Sequence, residues 1–339
     1  MTVRRGILAA AVLAGVTMLA AAGCAPTAAP ESASTTTAHD LTIAEAQATY
    51  HDYLTVSDAA AAQGNQAQGQ SDVAFEQWAL VHTQYTALEA QGTPVPRYQY
   101  GPPVFYVPAE AGYPQWFMVA VPRTTLVSGH PGATVNTLMV FERPKAGASW
   151  TLDGAAELDQ PLPAIALDKD GYATALRTTA SDLLLRPDVV GPTQAAVVDE
   201  GPTSPAAAVI SSGPQTTGLY ATQNAQSQAT TAKGLSYQWL LQGSNFPEFE
   251  LRTTDGGALV VYAMYLQTTT AHYGLASGSP IPVPANFVSL LASPSEIGYH
   301  AVYANWTFEY AAIDPPASAQ SAKVQIIGAG GGPTFGHAF

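Results

Sequence analysis

The spacing of apolar residues changes along this chain, and the first change marks the end of a pair of helices. Thr42, followed three residues later by Glu45, fits a capping box, and the helix that it begins should run to about Ala62 and end at Gly64. A second helix is predicted from near Ser71, because its apolar residues recur every three or four positions. That single stripe comprises Ala74, Trp78, Val81, Tyr85 and Leu88.

After Pro94 the pattern becomes the alternation that is typical of strands. Pro and Gly turns separate four predicted strands, at residues 104–107, 115–121, 137–142 and 149–152. A helical hairpin followed by a strand meander predicts a first α+β domain over residues 41–165.

The second half repeats this order of elements. Helical stretches are predicted at residues 193–199, 205–210 and 216–233, and strands at 237–241, 248–253, 258–267, 299–312 and 323–327. The sequence Thr-Asp-Gly-Gly at 254–257 favours a tight hairpin turn, since Gly adopts positive φ at little cost. The predicted fold class is α+β, with helical hairpins packed on a curved antiparallel sheet in two such units. A linker at 166–190 precedes the second domain at 191–332, and the Gly-rich run 328–332 with residues 333–339 should form a frayed, flexible tail.

The amino terminus has the order of a secretion signal. Arg4 and Arg5 precede an uncharged apolar run over residues 7–22, and Gly23 stands directly before Cys24. The sequence Ala-Ala-Gly-Cys resembles a lipobox, so we predict a signal peptide at 1–23, cleavage after Gly23 and lipid attachment at Cys24. An uncleaved membrane helix is the alternative, although this run is short against the roughly 20 residues that a span needs. Both the general secretory route and a twin-arginine route stay open.

The residues that follow Cys24 are Pro, Ala, Ser and Thr with no large apolar side chain, which predicts a disordered tether over residues 24–40. The net charge of −13 disfavours a nucleic-acid partner, whose phosphates require basic surfaces. Cys24 is the only cysteine, so an internal disulfide is excluded.

Seven aromatic residues are concentrated within residues 98–117: Tyr98, Tyr100, Phe105, Tyr106, Tyr113, Trp116 and Phe117. They could form a stacking platform for a sugar or a peptide, because Tyr and Trp combine a flat apolar face with a polar tip. They could equally pack the sheet against the helical hairpin, and alternation would then turn Phe105 and Trp116 inward. The sequence leaves both interpretations open.

No residue pattern indicates a metal or a catalytic centre. The seven histidines never lie three or four residues apart, so no helix face offers a zinc-binding pair, and no cofactor or metal is predicted. His51 and His82 could meet between the first two helices, with Asp52, Asp58 or Tyr85 as an orienting group, but we predict no catalytic residue. Residues 168–171, Asp-Lys-Asp-Gly, lack the later ligands of a calcium loop and are interpreted as a turn.

Three segments resemble a family of actinobacterial envelope lipoproteins that share a domain of unknown function. These segments are residues 93–123, 251–265 and 310–316, and the resemblance extends from about Leu41 to Gly332. It implies a location in the cell envelope and provides no functional residues. The order of hairpin and sheet also resembles the cone-shaped fold of nuclear transport factor 2-like domains.

Together these patterns predict a lipid-anchored protein on the extracytoplasmic face of the cell membrane. It contacts the membrane through the lipid on Cys24 and serves as a non-enzymatic binding or scaffold protein for an envelope partner or a small ligand. The alternative is a small-molecule hydrolase or isomerase with a pocket in the first α+β unit. A partly polar cavity between hairpin and sheet that holds a titratable group would favour the enzyme.

The lipid anchor gives a direct test. Cys24→Ser removes the thiol that accepts the diacylglyceryl group, so the variant should lose palmitate labelling and leave the membrane fraction or stay uncleaved. Thr27→Ser in the predicted tether is the matched control and should behave as the wild type. Acylation of the Cys24→Ser variant would contradict the lipoprotein assignment.

Overall fold

Backbone pairing between antiparallel strands organises this fold. The computed structural model describes residues 40–127, 129–273, 279–291 and 298–339, which belong to one compact unit. The predicted signal peptide, Gly23, Cys24 and nearly all of the predicted tether lie outside the described residues. The described chain is α+β, with a few helices and a large antiparallel sheet of ten strands.

Five α-helices are present in the described residues, and three lie before the first strand. They are α1 (Ile43–Gln63), α2 (Gln66–Gly69), α3 (Phe75–Ala90), α4 (Val190–Glu200) and α5 (Thr217–Thr231). Short 3-10 turns occur at Pro187–Val189, Pro205–Ala208 and Ala285–Leu290.

Nine strands follow the predicted order, and most of them are longer than predicted, while β1 is an additional strand. They are β1 (Arg97–Tyr100), β2 (Val104–Tyr106), β3 (Gln115–Val127), β4 (His130–Arg143), β5 (Thr151–Leu158), β6 (Leu235–Gly243), β7 (Phe249–Arg252), β8 (Ala258–His272), β9 (Ala301–Asp314) and β10 (Gln325–Ala338). The order in the sheet is β1-β3-β4-β5-β10-β9-β8-β6, with β2 paired to β3 and β7 paired to β8.

The strands of both predicted units lie in this one sheet. The last strand, β10, pairs with β9 along its length and with β5 through Gly328 opposite Leu158 and Ala329 opposite Glu157. The segment 166–190, predicted as a linker, therefore does not divide the sheet.

The local signals for α1 and for the β7–β8 hairpin are confirmed. The Thr42 hydroxyl accepts a 3.1 Å hydrogen bond from the Glu45 amide, and Gly64 ends the helix with a left-handed φ of 62°. In the hairpin Gly256 has a φ of 87°, and Asp255 Oδ1 accepts from the Gly257 amide at 3.1 Å.

The central strands are buried on both faces, which explains their continuous apolar runs. In β8, Val260 and Tyr262 pack with α4, whereas Leu259 and Val261 belong to a second core on the opposite face. A third core joins Tyr50 of α1 and other helix residues to strands β3 and β4.

The predicted apolar stripe of α3 is only partly buried. Tyr85 is buried, but Trp78 is 47% exposed, and the polar residues Glu76 and Thr83 are buried on this helix. Trp116 does not face the helical hairpin, because it packs against Phe249 on the other face of the sheet. Helical spacing placed Trp78 and Tyr85 on one face but could not show which of them meets the core.

The predicted frayed tail is wrong as well. Residues 328–332 lie inside β10, and Ala338 near the carboxyl terminus is buried. At Gly330 an added Cβ would collide with the backbone carbonyl oxygen of Ala155 on β5. The glycines of this run therefore allow strands to approach closely, a role that composition alone does not distinguish from flexibility.

Gly330→Ala should destabilise the fold because its methyl group would force β10 away from the Ala155 carbonyl. We expect a loss of about 1–3 kcal/mol in the free energy of unfolding, the usual range for overpacking. Gly332→Ala is the matched control, since its Cβ would meet only Leu80 at 3.9 Å. Denaturant titration measures both, and equal effects would contradict the close-approach explanation.

Two tryptophan substitutions test the corrected packing. Trp116→Ala should cost about 3–5 kcal/mol because it empties a buried site. Trp78→Ala should cost at most about 1 kcal/mol, since the side chain is half exposed. A large loss at Trp78, measured in the same denaturant titration, would show that α3 is turned differently.

Candidate functional site

A large cleft lies between the first helices and the sheet. It encloses about 1020 Å³ and is lined by residues from α1, α3, β1, β3, β5 and β10. The wall residues that carry its chemistry are Tyr53, Tyr98, Tyr100, Asp58, Arg97, Arg123, Glu157 and Gln77. Its size suits a small-molecule site.

Four tyrosines line this cleft, and one of them is Tyr85 of α3. Tyr53 comes from α1, while Tyr98 and Tyr100 come from β1, where alternate residues share a face. Burial raises the pKa of Tyr53 to about 12 and raises that of Tyr100 further. Both hydroxyls are therefore neutral near pH 7 and available as hydrogen-bonding groups beside flat apolar faces.

Each arginine of the cleft is matched by a carboxylate. Arg97 binds Asp58 in a two-bond pair, with Nε–Oδ1 at 2.8 Å and a second guanidinium nitrogen at 2.6 Å from Oδ2. Hydrogen bonding from Arg97 keeps the pKa of Asp58 below its usual range. Arg123 pairs with Glu157 at 2.5 Å and lies 4.6 Å above the centre of the Tyr98 ring.

These pairs leave the charged wall of the cleft electrically neutral. One hydrogen-bond donor of these pairs, the buried Nε of Arg123, has no partner within the described part of the chain. A ligand that accepts a hydrogen bond at this depth would satisfy that group, whose burial without a partner is unfavourable.

Behind the cleft wall lies a buried carboxyl group, Glu309 of β9. Gln77, which lines the cleft, donates to Glu309 Oε2 at 2.7 Å, and the Ala155 amide donates to the same oxygen at 2.7 Å. Burial, with a smaller contribution from Glu76 and Asp153, raises the pKa of Glu309 to about 8.

Two further acids occupy the same interior. Tyr265 donates to Glu76 Oε1 at 2.8 Å, and Thr151 donates to Asp153 Oδ1 at 2.6 Å. Burial raises the pKa of Asp153 to about 8, so both Asp153 and Glu309 are largely protonated near neutral pH. Within the described part of the chain, no group of three or more His, Cys, Asp or Glu side chains could hold a metal ion.

The structure does not assemble the histidine dyad that the sequence could have formed. Both His51 and His82 are exposed, and neither lines the cleft. His82 Nδ1 lies 2.7 Å from Gln66 Nε2, and its ring stacks on Trp78 with centroids 5.3 Å apart. Asp58, one of the groups that could have oriented the histidines, binds Arg97 instead.

The turn at residues 168–171 is confirmed. Asp168 Oδ1 accepts hydrogen bonds from the backbone amides of Asp170 and Tyr172, and Gly171 has a φ of 88°. This carboxylate oxygen is engaged within the turn, as in an ordinary Asx turn.

The aromatic segment 98–117 divides between the cleft wall and the cores. Tyr98 and Tyr100 line the cleft. Phe117 stacks on Phe141 in the core at 4.9 Å between centroids. Trp116 is buried on the opposite face of the sheet, so Phe105 and Trp116 point into different cores.

Sequence reasoning missed the two Arg–carboxylate pairs of the cleft. The sequence offered only a weak signal, since Lys and Arg together number only 12, and both Arg97 and Arg123 lie outside the predicted strands at 104–107 and 115–121. Their partners are 39 and 34 residues away along the chain, so the pairing itself was not visible.

The raised carboxyl pKa values predict a pH dependence of stability. The folded state keeps Asp153 and Glu309 protonated up to about pH 8, whereas the unfolded chain releases those protons at a lower pH. The free energy of unfolding should therefore fall as the pH rises between about 5 and 8. Glu309→Gln should reduce this slope by up to about 1.4 kcal/mol per pH unit.

Denaturant titrations across this pH range measure the slope. Glu89→Gln, on the exposed surface of α3, is the matched control and should leave the slope unchanged. A wild-type stability that rises between pH 5 and pH 8 would contradict the assignment of these buried acids.

Comparison with known proteins gives a family without an assigned activity. The chain is 25% identical over 238 residues to an uncharacterized lipoprotein of Streptomyces coelicolor, covering 68% of this chain and 65% of the relative. It is 28% identical over 165 residues to an uncharacterized lipoprotein of Streptomyces avermitilis, covering 48% of this chain and 45% of that relative. The chain thus spans about half to two thirds of the length of these relatives.

No solved structure matches the chain, so the likeness to nuclear transport factor 2-like domains stays a prediction. No helix in the described residues is long and apolar enough to cross a membrane. The model of a domain of unknown function, DUF8094, matches residues 38–334. This match and the two Streptomyces relatives confirm the resemblance to an actinobacterial lipoprotein family with a domain of unknown function. The chain belongs to the family that this domain, DUF8094, defines.

Proposed function

We propose that this protein is a lipid-anchored, extracytoplasmic binding protein of the cell envelope that receives a neutral, sugar-like ligand in the cleft between the first helices and the sheet. The observation that carries this proposal is the cleft of about 1020 Å³, with four tyrosines beside two charge-neutralised arginines.

The anchor is supported by two independent observations. The sequence Ala-Ala-Gly-Cys places Cys24 directly after a secretion signal. The relatives named above are lipoproteins. A diacylglyceryl group on Cys24 gives the two acyl chains that stable membrane attachment needs.

The chemistry of the cleft favours a polyhydroxylated ligand. Tyr98 and Tyr100 offer flat faces to the C–H groups of a sugar ring. The Arg97–Asp58 and Arg123–Glu157 pairs offer donors and acceptors side by side, as a row of hydroxyl groups requires. Since these charges cancel, a strongly ionic ligand would gain little from the pairs.

Titration of the purified full chain with neutral disaccharides tests this proposal. Cellobiose, maltose and diacetylchitobiose serve as probes, and saturation-transfer NMR measures their binding. We expect at least one to bind saturably, and Tyr98→Ala to weaken that binding about tenfold or more, as expected for a lost stacking contact of about 1.5 kcal/mol.

Tyr299→Ala is the matched control, because it removes an exposed tyrosine that does not line the cleft. It should leave the affinity unchanged. Binding that survives Tyr98→Ala and Arg123→Ala alike would place the sugar elsewhere, and the absence of binding by all three probes would contradict the sugar proposal.

The enzyme alternative rests on one observation, the Gln77–Glu309 contact. Glu309 is a carboxyl group with a pKa near 8 directly behind a residue of the cleft wall. A hydrolase or isomerase that used it as a general acid should lose about 10²–10⁴-fold in rate in Glu309→Gln. Because His51 and His82 are exposed, the variants His51→Ala and His82→Ala should keep the rate nearly intact. A comparable loss of rate in either variant would assign the chemistry to a histidine.

A further inference from the structure

A second cavity lies beside β7, and its walls have a different chemistry from the cleft. It encloses about 410 Å³ between the segment after β2, the start of β3, residues 176–179 and the start of β7. Its chemically distinctive wall residues are Glu110, Glu248, Glu250, Trp116, Tyr113 and Arg177. None of these residues lines the cleft.

Glu250 is the buried acid of this cavity. Its side chain is 3% exposed, and Oε1 has no hydrogen-bond partner. The backbone carbonyl of Glu250 accepts from the Leu176 amide at 3.0 Å, and the residue lies opposite Val260 in the sheet. A buried, unpartnered carboxylate oxygen is costly, and such a group requires an explanation.

The negative charges around Glu250 reinforce one another. Burial raises the pKa of Glu250 to about 8, and Glu248, Glu110 and Asp188 contribute in that order. Among the described ion pairs none involves Glu110, Glu248 or Glu250. The cation on the wall is Arg177, whose side chain is exposed.

An aromatic wall stands next to these acids. The Trp116 indole is held by its Nε1–H, which donates to Glu110 Oε2 at 3.1 Å, and its ring packs 5.2 Å from that of Phe249. Tyr113 is 44% exposed and lines the same cavity. Aromatic faces attract cations, and the attraction strengthens where water is excluded.

We propose that this cavity is a binding site for a small organic cation, a protonated amine, which Glu250 and Glu248 bind through charge-assisted hydrogen bonds while Trp116 provides an aromatic face. The ammonium group supplies donors to the unpartnered Glu250 oxygen. An anion would be repelled by three carboxyl groups. A divalent metal is disfavoured, because within the described residues no group of His, Cys, Asp and Glu has the arrangement that holds a metal ion.

Calorimetric titration of the full chain with n-butylammonium chloride tests the site. At about pH 9 Glu250 is mostly ionised while the amine keeps its proton. We expect saturable binding with a Kd of about 1 mM or lower. The neutral probe 1-butanol and the anion butyrate should each bind at least about tenfold more weakly, because neither can form the ionic hydrogen bonds.

Glu250→Gln keeps the shape of the side chain and removes its charge, so the variant should fold and lose about 10- to 100-fold in affinity for n-butylammonium. Glu248→Gln provides a second variant at a less buried position and should also weaken binding. Glu89→Gln makes the same charge change on α3, away from the cavity, and should bind as the wild type. Circular dichroism verifies the fold of each variant.

Three results would overturn the proposal. They are no saturable binding of n-butylammonium, equal affinity in the wild type and in both Glu250→Gln and Glu248→Gln, or tighter binding of calcium chloride than of the amine. The sugar titration of the cleft uses different residues, so either proposal can fail without the other.

Discussion

The contact between β5 and β10 is the constraint on which the rest of this structure depends. Two residue pairs, Gly328 with Leu158 and Ala329 with Glu157, connect the first five strands to the last five. The glycines that follow allow the carbonyl groups of β5 and β9 to approach β10 more closely than a side chain would permit. The cleft is built at the same place, because Gly330–Gly332 of β10 and Glu157 of β5 line it.

The interior between α3 and the sheet on which it packs is polar. The helix directs Glu76 and Gln77 toward Tyr265 and Glu309, where an apolar stripe would ordinarily lie. Glu76, Asp153 and Glu309 each keep at least one hydrogen bond, and the raised pKa values of Asp153 and Glu309 leave them largely uncharged near neutral pH. Protonation therefore avoids most of the cost of burying charge.

The two cavities differ in how their charges are balanced. In the cleft each guanidinium has a carboxylate beside it, so the wall offers paired donors and acceptors without a net charge. In the cavity beside β7, Glu250 is buried against other acids and beside an indole ring. This difference is why we infer a neutral polyhydroxylated ligand for the first and a cation for the second. Both sites use residues of the segment 98–117, which divides between the two faces of the sheet.

The sequence by itself determined the local elements. These elements depend on neighbouring residues: the helix cap at Thr42, the helix end at Gly64, the hairpin turn at 254–257 and the order of the strands along the chain. It also indicated the family and the secretion signal before Cys24, since short contiguous motifs identify both. Only the tertiary structure decided which residues of the α3 stripe are buried, because helical spacing puts Trp78 and Tyr85 on one face, yet Trp78 is half exposed and Tyr85 is buried. It alone placed the glycines of β10 within the sheet, since a Gly-rich run fits close strand contact as well as disorder. It alone brought Arg97 into contact with Asp58 and placed Glu250 and Trp116 on the wall of one cavity, because both arrangements depend on how distant segments pack and not on any spacing along the chain.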